Sequence, residues 1–280
     1  MGLKAYLELI RPLNTTMTGL GIVFAVSVYT KWSPNPLVLA IGFITGFCGT
    51  AAAMTVNDVA DRSVDAINKP WKPIPSGRAD PVKALTLSIA LLAIAVLINT
   101  AIGPLAVAVA AVYGAIAFAY SFSRKHWWSQ LLVPLATTAP IIYGYSVAGM
   151  PSGYGSLVSL FSLTIFTASL GREVLKAVMD VKGDKACGYA TIPIRFGIGV
   201  ARKIIALLAI AAPILGVLTG ILAGTTKAYY ALMSIASILY GYSMLKAVAE
   251  IDNKATLERS RRYTLYSMLV GLIAFLFSKT

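Results

Sequence analysis

Nine long runs of mostly apolar residues constrain this chain more than any other feature. They fall at about 13–31, 37–57, 82–102, 104–121, 129–149, 155–176, 200–223, 228–247 and 262–279. A helix that crosses a bilayer core needs about 20 such residues. Hydrocarbon offers no partner to exposed backbone N–H and C=O groups, so helices are the expected form. No run shows the ~10-residue alternation of a barrel strand. Charged residues make up 12% of the chain and hydrophobic ones 58%, whereas a soluble domain carries roughly 25% charged residues. A soluble enzyme, a disordered chain and a nucleic-acid binder are thereby excluded, despite a formal net charge of +13. The expected fold class is all-α, a polytopic membrane protein of nine spans with one domain over residues 1–280.

Two cysteines, Cys48 and Cys187, are too few for a disulfide framework and lack metal-site spacing. A single histidine, His126, leaves no His-based metal centre and no Ser-His-Asp triad. Lys4, Glu8 and Arg11 precede the first apolar run, so no cleavable signal is expected.

The basic residues orient the spans. With the N-terminus and the connections after the second, fourth, sixth and eighth spans on one side, only Lys31, Lys227 and Lys279 of the 24 Lys and Arg fall on the other. By the positive-inside rule the rich side is cytoplasmic, which places the C-terminus outside a cell membrane. Membrane lipid is an expected partner, since the basic face attracts anionic head groups. The outer connections are short. Two cytoplasmic ones, 57–81 and 177–199, are long and chemically dense, and together they are expected to cap an active site.

Each dense segment carries acids four residues apart. Asn57, Asp61 and Asp65 recur in the first, with Asp58 one step off their stripe; Asp180 and Asp184 recur in the second. Seven of the eleven acids are Asp, and five of these lie here. On a helix, residues four apart share a face, and like charges there repel. Such carboxylates need a counter-charge, and three readings stay open: surface pairing with Arg62, Lys182 and Lys185, a divalent metal, or a proton or sodium relay in a secondary transporter. The second and sixth spans both end in such acids, and each is followed by Ile-Pro (Ile74-Pro75, Ile192-Pro193). This suggests two four-helix pseudo-repeats plus one helix around a central cavity. Superposing the repeats would bring the acidic faces together, where two Mg²⁺ ions would hold a diphosphate. Between the acids and the third span, residues 70–77 hold three prolines and end in Ser-Gly, which predicts an ordered, extended loop.

The joined string Asn57-Asp58-x-x-Asp61-x-x-x-Asp65-Ala-Ile-Asn68-x-Pro70-x-x-Pro-Ile-Pro-Ser-Gly77-Arg78, with Arg11-Pro12 ahead of it and Asp180-x-x-x-Asp184 after the sixth span, resembles the UbiA superfamily of intramembrane prenyltransferases. The resemblance spans essentially the whole chain. It is greatest to the branch that makes archaeal ether lipids and to the branch that makes chlorophyll, and Arg172-Glu173-Val-Leu-Lys176 is similar to the archaeal pattern. Ala177 and Met179 depart from it, since many relatives carry acids there.

The resemblance implies a Mg²⁺-dependent enzyme, with two ions held by Asn57, Asp61, Asp65, Asp180 and Asp184. It implies catalytic roles for Asp61, Asp65, Asp180 and Asp184, with Asp58 supporting them and Lys125 beside the diphosphate. Substrate contacts are expected from Arg11, Asn14, Arg62, Lys69, Lys72, Arg78, Tyr120, Arg124, Arg172 and Lys176. The implied partners are a prenyl diphosphate and a lipid-like acceptor, with no obligatory protein partner. The reaction implied is transfer of a geranylgeranyl group to the hydroxyl of geranylgeranylglyceryl phosphate with release of pyrophosphate; chlorophyllide or an aromatic quinone precursor is the alternative acceptor.

Overall fold

The computed structural model describes residues 2–279, and among them every regular element is a helix. The chain runs α1 (Leu3–Ile10), α2 (Pro12–Tyr29), α3 (Pro36–Ala60), α4 (Arg62–Asn68), α5 (Pro81–Leu97), α6 (Pro104–Phe122), α7 (Leu132–Thr137), α8 (Ala139–Val147), α9 (Gly155–Ala186), α10 (Ile192–Phe196), α11 (Ile198–Ala223), α12 (Lys227–Ala249) and α13 (Lys254–Leu276). Two short 3-10 turns, Ile98–Ala101 and Trp127–Leu131, follow α5 and precede α7.

The helix starts are written in the sequence. Pro12, Pro36, Pro81 and Pro104 open α2, α3, α5 and α6, a position where the missing N–H is no loss and the fixed φ suits the helix. Asn35, Asp80, Thr226 and Asn253 accept backbone N–H bonds as side-chain caps of α3, α5, α12 and α13.

Six helices are long and apolar enough to cross a membrane: α3, α5 with its 3-10 extension, α6, α9, α11 and α12. The pair α1 and α2 makes a seventh if its 46° bend is taken as one span. The runs at 129–149 and 262–279 are carried differently. The first is split into α7 and α8, because Pro140 cannot donate to the helix and its ring crowds the carbonyl four residues back. The second lies in α13, whose opening turns carry Lys254, Glu258, Arg259, Arg261 and Arg262. On the outer surface Leu207, Ile214, Leu222 and Ile238 are each more than half exposed. Such faces suit hydrocarbon rather than water, and the chain is a multi-pass membrane protein.

The helices close a ring. In the first half α2 packs on α3, and α3 on α5 and α6; in the second α9 packs on α11, α11 on α12 and α12 on α13. Helix α13 returns to α2, and α8 bridges α2 and α9. The α2–α3 seam is close: a Cβ on Gly46 would lie 2.9–3.0 Å from Ile22, the Gly19 Cα and the Thr18 carbonyl.

Inside the ring is a cavity of about 450 Å³, within the range of small-molecule sites. One end is sealed. Tyr29 meets the ring edges of Tyr145, Tyr154 and Phe275 at centroid distances of 5.3–5.8 Å, and Asn99 links Thr45 to Tyr143 through buried hydrogen bonds. The aspartates lie at the other end.

Two expected loops are largely helical. Helix α9 runs on through Asp180 and Asp184 to Ala186, and α10 occupies part of the remainder, so 177–199 is not a long cap loop. Residues 57–68 are α3 and α4. The segment 70–77 is wound rather than extended: Ser76 N–H bonds to the Lys72 carbonyl, Gly77 N–H to that of Ile74 and Ala79 N–H to that of Pro73. Buried Ile74 and Ala79 supply the reason, since they pack with Ala5, Leu9 and Ala84 in one apolar cluster.

Filling the α2–α3 seam should break the ring where it is tightest. Gly46→Leu is expected to destabilise the protein by about 1–3 kcal/mol, the usual range for overpacking, and to lower the unfolding temperature of the detergent-solubilised protein by several degrees. An unchanged melting curve would mean that α2 and α3 do not touch at that point.

Candidate active site

Helix α3 continues past its apolar run, and the helical path does not stop at Asp61. The Asp61 N–H bonds to the Asn57 carbonyl at 2.8 Å and the Asp65 N–H to the Asp61 carbonyl at 2.8 Å. Asn57, Asp61 and Asp65 therefore follow one another on a single side, as four-residue spacing demands. Asp180 and Asp184 stand one turn apart near the end of α9.

The two acidic helix ends are clipped together by Asn68, the last residue of α4. Its Nδ2 donates to the Asp180 carbonyl at 3.1 Å, and its Oδ1 accepts the Gly183 N–H at 3.1 Å. Gly183 is required here, because a Cβ would run into the Asn68 amide.

All five aspartates are buried. Ions lifted out of water need partners, and each has one. Arg124 bridges the two helices, with Nη1 2.6 Å from Asp61 and Nη2 3.1 Å from Asp184. Lys69 grips both carboxylate oxygens of Asp180 at 2.8 Å. Lys72 lies 2.9 Å from Asp58 and 2.6 Å from Asp65, and Arg11 lies 2.6 Å from Asp58. Arg11 holds a left-handed backbone conformation (φ 49°) at the α1–α2 bend, uncommon for a residue with a side chain; its ion pair helps fix that bend.

Arg124 is the centre of the cluster. Its guanidinium lies 4.7 Å from the Tyr189 ring centroid and 5.5 Å from that of Tyr120. Burial works against its charge, but Tyr120, Asp61, Asp184 and Glu173 outweigh that and hold its pKa above the ordinary arginine value. Burial also pushes the Asp61 carboxyl up, against the pull of Arg124 and Lys176. Burial and then Asp61 push the Tyr189 phenol up to about 12, so it stays a donor, 3.4 Å from Asp61.

The remaining expected residues divide by position. Arg11, Asn14, Asn57, Tyr120, Arg172 and Lys176 line the large cavity. Arg124, Asp180 and Asp184 line a small crevice beside it with Ala177, and Tyr120, Glu173 and Lys176 face both spaces. Tyr120 donates to Glu173 at 2.8 Å. Arg62 and Lys125 are exposed and make no ion pair among the described residues; Arg124, next in sequence to Lys125, is the one that turns inward. Lys182 and Lys185 are likewise exposed, so the acids are paired from within and not by their helix neighbours. Arg78 joins Glu8 on the surface at 2.9 Å and binds the Trp71 carbonyl, tying the wound segment to α1 rather than entering the cluster.

Sequence reasoning passed over Tyr189, the Asn68 clip and the Tyr120–Glu173 bond. Asn68 and Glu173 each stand inside a quoted motif and Tyr120 among the expected contacts, whereas nothing in the sequence pointed to Tyr189.

The donor set is all oxygen: four carboxylates and an amide, the chemistry hard divalent cations prefer. Among the described residues no three carboxylate, imidazole or thiol side chains converge on one point, since each aspartate turns to a cation. Two atoms remain over: Asp184 Oδ2 and Asn57 Nδ2 are buried without a hydrogen-bond partner among the described residues. The residues present thus fit a divalent cation, with one carboxylate oxygen already unengaged.

The chain is similar to known proteins of one family. The sequence profile described as the UbiA prenyltransferase family matches residues 18–269. Digeranylgeranylglyceryl phosphate synthases are among the similar proteins: that of Methanopyrus kandleri is 33% identical over 99% of both chains, and that of Ignicoccus hospitalis is 31% identical over 98% of this chain and 91% of its own. A solved structure of a digeranylgeranylglyceryl phosphate synthase superimposes with a TM-score of 0.74 at 27% identity, covering 99% of this chain and 98% of that one. A UbiA homologue from Archaeoglobus fulgidus bound to GPP and Mg²⁺ shares the fold, with a TM-score of 0.70 at 19% identity over 97% of this chain and 99% of that one.

Breaking one partner from a buried ion pair costs about 3–5 kcal/mol. Arg124→Gln, which leaves two buried carboxylates facing each other, should lose about that much in denaturant unfolding. Lys125→Ala should stay within about 0.5 kcal/mol. Equal losses at the two positions would contradict the arrangement.

Proposed function

Since the chain belongs to the UbiA prenyltransferase family and is an enzyme of prenyl transfer, we propose that it alkylates the free hydroxyl of geranylgeranylglyceryl phosphate with the geranylgeranyl group of geranylgeranyl diphosphate, releasing pyrophosphate. The observation that carries this reading is the single Arg124 guanidinium within hydrogen-bond distance of both Asp61 and Asp184. Two acidic helix ends meet there beside an apolar cavity. The names of the full-length relatives favour this acceptor over a chlorophyllide or an aromatic ring.

In this reading nine segments cross the membrane as two four-helix pseudo-repeats plus one, with the N-terminus and active site cytoplasmic and the C-terminus outside. The prenyl tail lies in the cavity among Gly46, Gly49, Ala53 and Gly114, where each buried CH₂ contributes about 0.8 kcal/mol. Its diphosphate stands at the acidic end. Asn57, Asp61, Asp65, Asp180 and Asp184 hold Mg²⁺, in two ions; when bound, Mg²⁺ neutralises charge on the leaving diphosphate. The homologue of the same fold bound to GPP and Mg²⁺ supports the use of a divalent cation with a prenyl diphosphate.

The chain's own cations do the rest. Lys69, Lys72 and Arg124, each within reach of two aspartate oxygens, are placed to turn toward phosphate oxygens as the C1–O bond breaks. The acceptor oxygen forms the new C–O bond at C1, and its proton leaves with the released pyrophosphate. Most of the rate enhancement in this reading is electrostatic and positional.

Purified protein given geranylgeranyl diphosphate, Mg²⁺ and geranylgeranylglyceryl phosphate should yield the doubly alkylated glyceryl phosphate, read by mass spectrometry. Asp61→Asn and Asp184→Asn are each expected to slow transfer by about 10²–10³-fold, the scale of losing one electrostatic group at a transition state, and chelation with EDTA should stop it reversibly. An active Asp61→Asn, Asp184→Asn double variant would refute the reading.

A further inference from the structure

The large cavity carries charge that the aspartate cluster does not use. Its charged lining is Arg11, Arg172, Glu173, Lys176 and Arg261. Arg11 is paired with Asp58 and Lys176 with Glu173. Arg172 has no ion-pair partner among the described residues, and its Nε is buried without a hydrogen-bond partner there. Arg261 belongs to α13, which contributes nothing to the aspartate cluster. Its one ion pair is with Glu258, a turn earlier, and both side chains are about 40% exposed.

The packing puts these two arginines at one level of the cavity wall. Tyr240 of α12 donates to the Ala168 carbonyl of α9 at 2.9 Å, and a Cβ on Gly171 would touch Tyr240 and Met244. The turn of α9 that bears Arg172 therefore lies against residues 240–244 of α12. Helices α12 and α13 pack on each other and are joined by the short connection at residues 250–253. Counting back from that connection brings Arg261 beside the same stretch. Ser237, a turn deeper on α12, also lines the cavity and has a buried Oγ without a partner among the described residues.

The Arg172 Nε is buried and unpartnered among the described residues, and Arg261, paired only with the part-exposed Glu258, adds a second guanidinium to the same wall. An anion between the two lowers their mutual repulsion. Arginine matches the oxygen pairs of a phosphate with two parallel hydrogen bonds. Arg172 is eight residues from Asp180, which on α9 is a rise of about 12 Å. The site is thus separate from the aspartates, and it shares the large cavity with Asn57 and Lys176.

We propose that Arg172 and Arg261 form a phosphate subsite for the acceptor, gripping its phosphate monoester so that its hydroxyl faces the reacting carbon of the prenyl diphosphate. The proposal rests on the prenyl-transfer reading above and adds the residues that select a phosphate-bearing acceptor. Ser237 supplies a further donor to the same anion.

The test compares geranylgeranylglyceryl phosphate with its phosphate-free alcohol as acceptors for the full-length protein in detergent. Arg261→Gln should raise KM for the phosphate acceptor about 10–100-fold, the scale of one lost charge-assisted hydrogen bond. KM for geranylgeranyl diphosphate should shift by no more than about twofold on the same scale. The preference for the phosphate acceptor over the alcohol, as a ratio of kcat/KM, should collapse, and Arg261→Lys should restore part of it. Arg172→Lys, which keeps the charge in a more buried place, should weaken the same ratio. Equal rises in KM for donor and acceptor would assign these arginines to the diphosphate and overturn the proposal, as would an unchanged acceptor preference. Wild-type protein that transfers no prenyl group to the phosphate acceptor would instead refute the proposed function, before any variant is made.

Discussion

The site depends on one cation held between two helices. Arg124 comes from the turn after α6, Asp61 from the junction of α3 and α4, and Asp184 from the end of α9. These are distant in sequence, and like charge would keep the two acidic ends apart in a medium of low dielectric. The guanidinium changes the sign of that interaction. Its own charge is stabilised in turn by the acids and by the Tyr120 and Tyr189 rings. The Asn68 amide then fixes the distance between α4 and α9 with neutral bonds that do not depend on charge. Removing charge from one side alone leaves the other unpaired, so the cluster is a cooperative unit.

The same economy explains why the cavity is polarised along its length. At the sealed end the polar groups of Asn99, Thr45 and Tyr143 satisfy one another and Tyr29 is packed among aromatic edges. The charged residues of the cavity lining, Arg11, Arg172, Glu173, Lys176 and Arg261, are not among these. At the aspartate end the five buried aspartates are held in ion pairs with Arg11, Lys69, Lys72 and Arg124, which a stronger partner can exchange. An amphiphile with an anionic head and an isoprenoid tail has only one favourable direction in such a space, since reversing it would bury phosphate against tyrosine rings and place methyl groups among carboxylates.

Much of this was readable from the sequence, for physical reasons that differ between elements. Helix spans announce themselves because hydrocarbon imposes length and composition at once, and Pro12, Pro36, Pro81 and Pro104 mark their starts. The acids announced themselves because four-residue spacing on a helix end has no apolar explanation. What the sequence did not carry was the partner of each acid. Lys125 and Arg124 are equivalent in a charge count, and only packing decides that Arg124 turns inward while Lys125 faces out. The length of α9 was also hidden. Hydropathy falls after Lys176, and a polar stretch reads as a loop, but helix needs only backbone pairing and a tertiary contact, which Asn68 and Gly183 provide.

Arg261 shows the same limit from the other direction. It sits among Arg259 and Arg262 in the charged opening turns of α13, where every basic residue looks like an anchor to lipid head groups. Its neighbours Arg259 and Arg262 do not line the cavity, whereas Arg261 does. The distinction is rotational: successive residues on a helix point about 100° apart, so at most one of two adjacent arginines faces a given wall. Charge on the outer surface and charge on the cavity wall are thus interleaved in one short segment. They separate only when α12 fixes the rotation of α13 against the cavity.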